Sequence, residues 1–92
     1  MSSAARVETG TYLRQLQEGT TLSEPISKPM PAIGKRCHEL RIRDEKVTWR
    51  IIYRIDATEI VIADVFAKKT QKTPLHIIRT CRARYVKYDE RN

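Results

Sequence analysis

Two short stretches of this chain interleave arginines with apolar residues: Glu39-Leu40-Arg41-Ile42-Arg43 and Trp49-Arg50-Ile51-Ile52-Tyr53-Arg54-Ile55. Side chains alternate between the faces of a strand, so Arg41, Arg43, Arg50 and Arg54 are expected on one face and Leu40, Ile42, Trp49, Ile51, Tyr53 and Ile55 on the other. Like charges side by side on a sheet repel, so a row of arginines is unfavourable unless an anion lies among them; the alternative is a face of long cations splayed into water and relieved by Glu39. A second basic group, Lys68, Lys69 and Lys72, precedes a helix start at Thr73-Pro74, where the positive end of the helix dipole also favours anions. The chemistry open to such a set is a grip on phosphate, in which the planar fork of Arg43 or Arg50 holds two oxygens at once. Gly-rich phosphate loops, paired catalytic carboxylates and serine-nucleophile motifs are absent. Neither His38 nor His76 has a metal or triad spacing; His38 is expected to be structural, while His76 borders the basic loop in the first turn of the last helix.

These groups need a scaffold. Residues 4–18 favour helix, with Val7, Tyr12, Leu13 and Leu16 on one apolar stripe and Gly19 placed to end it, although Gly10 weakens the pattern. From Thr20 to Gly34, Pro25, Pro29 and Pro31 each remove a backbone donor, and an extended connector is expected. Burying the two apolar sets of the hairpin together pairs Ile42 with Ile51 and Leu40 with Tyr53. The arginine face then pairs Arg43 with Arg50, Arg41 with Ile52 and Glu39 with Arg54, across a loop over residues 45–48. The run Ile60–Ala67 is almost wholly apolar and suits a central strand covered on both faces. A helix over residues 74–88 follows, with Ile77, Ile78, Cys81 and Tyr85 inward and Arg79, Arg82, Arg84 and Lys87 outward.

A chain of 92 residues is expected to form one domain, residues 1–92, with a thin core that leans on a partner. Its net charge of +7 is unevenly placed. Residues 1–34 balance three basic against three acidic residues, so the whole excess lies in residues 35–92, a one-sided field that attracts polyanions such as nucleic acid. Cys37 and Cys81 are too far apart for a metal-ligand pair, and free thiols in a cytoplasmic protein are expected. No stretch approaches the roughly 20 apolar residues of a membrane span, and no metal or cofactor is called for.

The segments His38-Glu-Leu-Arg-Ile-Arg43, Trp49-Arg-Ile-Ile-Tyr-Arg54 and Val65-Phe-Ala-Lys-Lys-Thr-Gln-Lys-Thr-Pro74 resemble the phage-derived, HigB-like branch of the RelE/HigB toxins, over about residues 30–88. The resemblance implies an α+β, RelE-like fold: two N-terminal helices or one broken helix, an antiparallel sheet of three to four strands, and a C-terminal helix. It implies a type II toxin that cleaves mRNA, usually on the ribosome, and a cognate antitoxin. On this resemblance Arg50 matches the arginine linked to stabilising the cleaved phosphate, Arg41 and Arg43 match basic positions of the preceding strand, and Lys68 and Lys69 match a basic pair after the central strand. Two departures stand out. Many relatives begin with a strand that residues 1–10 do not resemble, and a tyrosine near the final helix has no match at Leu75 or His76.

Metal-free RNA cleavage needs a base for the 2′-hydroxyl, a cation for the phosphorane and an acid for the leaving oxygen. Arg50 or Arg43 is expected to supply the cation, and Lys68 or Lys69, crowded by like charge, the base or acid. Arg41, Arg54, Lys72 and His76 are expected to contact RNA. The competing readings are a non-catalytic nucleic-acid-binding module and a charge-paired interaction protein; burial of Trp49 and Tyr53 would remove the stacking platform that the first of these needs.

Overall fold

A computed structural model describes residues 1–68 and 72–91, with Lys68 described by its backbone only. The order is α1 (Ser3–Gln17), β1 (Ser27–Pro29), β2 (Cys37–Arg43), β3 (Thr48–Ile55), β4 (Ile60–Lys68) and α2 (Leu75–Arg91). The four strands form one antiparallel sheet in chain order, with a helix on each face. This is the α+β layout expected from the sequence.

Helix α1 begins where Ser2 accepts a hydrogen bond from the Ala5 amide at 3.1 Å. It ends in a Schellman turn: the amides of Gly19 and Thr20 donate to Leu16 and Gln15, with Gly19 at φ 91°, a conformation glycine adopts without strain. The helix is continuous, so the pair of helices or broken helix implied by the family resemblance is corrected to one. Its buried stripe runs through Ala5 and Leu16, with Tyr12 and Leu13 packed alongside. Val7 is 70% exposed, a second correction, because nine residues of helix place it about 180° from Leu16.

The proline-rich connector contributes a strand that the alternation did not reveal. β1 is only three residues long, pairs Ser27 with Leu40, and forms one edge of the sheet. The β2–β3 hairpin keeps the expected faces but slips by two residues from the expected register. Leu40 pairs with Ile51, Ile42 with Trp49, Arg41 with Arg50, and Arg43 with Thr48. The cause is a tighter turn: the Asp44 amide donates to the Val47 carbonyl at 2.9 Å, leaving Glu45-Lys46 as a two-residue loop, the commonest hairpin connection.

β4 is an edge strand and not the central one; β3 is the strand buried on both faces. Ile62 and Val65 remain about half exposed on β4. The β3–β4 register shifts by one residue at Ile52/Tyr53, and the extra residue, Ala63, packs under α2. Leu40, Ile42, Ile51 and Tyr53 form the core under α1, while Ile52, Cys37, Cys81 and Tyr85 form the core under α2. Both cysteines are free and buried.

Candidate functional site

The alternation of β2 and β3 puts Glu39, Arg41, Arg50, Ile52 and Arg54 on the α2 side of the sheet. Arg41 and Arg50 are directly opposite one another, so the repulsion expected between Arg43 and Arg50 falls on this pair instead. Glu39 answers it. Its Oε1 accepts from Arg50 Nη1 at 3.0 Å and from Arg41 Nε at 3.4 Å, and its Oε2 accepts from Thr73 Oγ1 at 2.7 Å. Glu39 is 1% exposed and Arg50 5%. Two such buried charges persist only as a hydrogen-bonded pair.

One donor of that pair is left over. Arg50 Nε is buried and has no hydrogen-bond partner among the described residues, and a buried N–H left unmade costs about 1–3 kcal/mol. Arg50 lines a cavity of about 380 Å³ together with Arg41, Arg43 and Thr48; Glu8, Pro25 and Ile26 complete the lining. Arg43 is exposed, opposite Thr48, and Thr48 in turn pairs with Lys68, so these three positions form a row across the end of the sheet. The arrangement is a concave patch lined by three arginines, suited to an anion with several oxygens.

The remaining expected residues are distributed around it. The backbone of Lys68 ends β4 beside this row, whereas Lys69 lies outside the described residues. Lys72 is exposed just before Thr73, whose bond to Glu39 ties the start of α2 to the arginine pair. His76 is exposed in the first turn of α2. Arg54 is placed elsewhere, toward the far end of α2. Its Nε and Nη2 donate to Asp56 at 2.7 and 2.9 Å, its Nη1 and Nη2 to Asp89 at 3.0 and 2.7 Å, and its guanidinium lies 4.7 Å from the centre of the Tyr85 ring. Bonds to Asp56 and then Asp89 raise its pKa further and fix its charge, so Arg54 anchors α2 and does not line the cavity. His38 stacks on Tyr53 at 5.2 Å, and burial lowers its pKa, which makes it a neutral structural ring.

Sequence reasoning named Glu39 as relief for the arginine face but not its partners, Arg41 and Arg50. The available signal was its i, i+2 relation to Arg41, which puts a carboxylate on the arginine face; the wrong register directed it to Arg54. Among the described residues no group of three His, Cys, Asp or Glu is placed to hold a metal ion, and no helix is long and apolar enough to cross a membrane.

Residues 1–86 match the model of the family described as Phage derived protein Gp49-like (DUF891). No curated protein and no solved structure matches the chain.

Proposed function

The chain belongs to the phage-derived Gp49-like family, a RelE/HigB-like toxin family, and from that premise we propose that it is a HigB-like mRNA endoribonuclease held in check by a cognate antitoxin. The observation that carries the proposal is Arg50, held by Glu39 at 3.0 Å and lining a cavity together with Arg41 and Arg43. In the reaction a 2′-oxygen attacks the adjacent phosphorus, the P–O5′ bond breaks, and a 2′,3′-cyclic phosphate and a 5′-hydroxyl end result. Negative charge grows on the phosphate oxygens, where Arg50, pre-oriented by Glu39, stabilises it without reorganisation. Lys68 or Lys69 takes the 2′-proton and the other returns one to O5′, with His76 as a further proton carrier. The cations do not themselves align the 2′-oxygen for in-line attack, and the ribosome supplies that geometry for bound mRNA.

Pure nucleic-acid binding is the less favoured reading. Trp49 and Tyr53 face α1, so neither offers a stacking platform beside the cavity. The test is induction of the chain in cells followed by mapping of new mRNA 5′ ends. Arg50→Ala should lower cleavage by about 10²–10³-fold. Arg50→Lys should also lose most activity, because the charge survives but the fork does not. Wild-type-like cleavage by Arg50→Ala at matched expression would remove this cavity from the chemistry.

A further inference from the structure

The cavity at Arg50 has a wall that phosphate binding does not explain. Beyond the arginines it is lined by Pro25 and Ile26, which are apolar, and by Glu8, an exposed residue of α1. A carboxylate sharing a cavity with three arginines is expected to pair with one of them, yet among the described residues Glu8 forms no ion pair; Arg41 and Arg50 are taken by Glu39 instead. Glu8 therefore leaves a carboxylate without a protein cation at the rim of a space otherwise suited to a phosphate. The cavity volume of about 380 Å³ falls within the roughly 300–1,000 Å³ of small-ligand pockets.

We infer that this cavity holds a single nucleotide of the RNA, with its phosphate on the arginines and its base against Pro25 and Ile26, and that Glu8 selects guanine there. The inference rests on the proposed ribonuclease reading and adds its base specificity. Unpaired bases are read on their Watson–Crick edges. On that edge guanine alone presents two adjacent donors, N1–H and the N2 amino group, which match the two oxygens of a carboxylate. Adenine and cytosine set one amino group beside a ring nitrogen acceptor, and uracil flanks its one donor with two carbonyl oxygens; each of these turns a lone pair toward Glu8. A site built on paired hydrogen bonds rejects a base that cannot complete them.

The test titrates the purified chain with the four ribonucleoside 3′-monophosphates by calorimetry and maps the bases flanking cleavage sites. Wild type should bind 3′-GMP at least tenfold more tightly than the others. Glu8→Gln, an exposed helical change that leaves folding intact, should lose that preference while retaining phosphate-dependent binding, because an amide offers one acceptor and adds a donor. The cleavage map should lose its guanine bias in the same variant. Equal affinity for all four nucleotides, no binding of any, or a guanine preference that survives Glu8→Gln overturns the inference. Cleavage by wild type without base preference overturns it while leaving the ribonuclease reading in place; guanine-selective binding without any cleavage removes that reading and leaves Glu8 as a base-selecting residue of a binding pocket.

Discussion

Glu39 holds the arginine pair together, and its removal is expected to be felt in both folding and chemistry. Glu39→Ala leaves two guanidinium groups facing one another under α2 with no counter-charge, a change expected to destabilise the fold by about 3–5 kcal/mol. Combining Glu39→Ala with Arg50→Met removes both buried charges, so the double variant should recover part of that loss; denaturant unfolding of the four proteins gives the coupling energy, expected at about 0.5–3 kcal/mol. Strictly additive effects would mean that the 3.0 Å contact contributes nothing. The residues on the arginine face were legible from alternation alone, since period-two patterning depends on the backbone and not on the partner strand. Their partners were not. A slip of two residues preserves every face and changes every neighbour, and only the turn distinguishes the two registers.

Each helix is fastened to the sheet at one end by a polar clamp. At the start of α1, Asp44 accepts the Ser2 amide at 2.8 Å and Trp49 Nε1 at 3.1 Å. These bonds, the Ser2 amide foremost, lower its pKa from 3.8 to about 2. A folded-state pKa below the unfolded one means that the unfolded chain binds more protons, so this stability is present above pH 4 and is lost as pH falls toward 2. Asp44→Asn should accordingly flatten the acid limb of a melting-temperature-against-pH curve between those values, and an unchanged limb would discount the clamp. Toward the end of α2, Arg54 sits between Asp56 and Asp89 with Tyr85 beneath it. Arg54→Ala should destabilise by about 2–3 kcal/mol in urea unfolding, whereas Asp89→Asn, at a mostly exposed carboxylate, should alter stability by under about 1 kcal/mol. The helices themselves could be read from most of their apolar stripes and from Gly19 at the end of α1. β1 was hidden because prolines mask a short edge strand, and β4 passed for a central strand because Ile62 and Val65 are apolar although the fold leaves them half exposed.

Over the whole molecule, the charge excess lies in residues 35–92, and α2 covers much of the arginine face of the sheet, leaving the cavity at one end. If the cavity arginines share the one phosphate proposed above, the log–log dependence of RNA affinity on salt should have a slope of about −0.7, and a fourfold rise in salt should weaken binding about 3-fold in anisotropy titrations. A much steeper slope would show that the outer cations of α2 share the load. The charge asymmetry was legible from composition, but the placement of Arg41 opposite Arg50 depends on the two-residue turn. Arg50 itself lies on β3, which is paired along both edges and covered on both faces, with Arg50 through Arg54 all buried. Backbone amides in such a strand exchange with deuterium only through the largest openings of the fold. The fork proposed to hold the scissile phosphate is thereby mounted on a strand expected to be among the slowest to exchange. If the proposed site is the one an inhibitory partner blocks, neutralisation works by filling the cavity or lifting α2, and the β3 amides should exchange no faster in the inhibited complex than in the free protein.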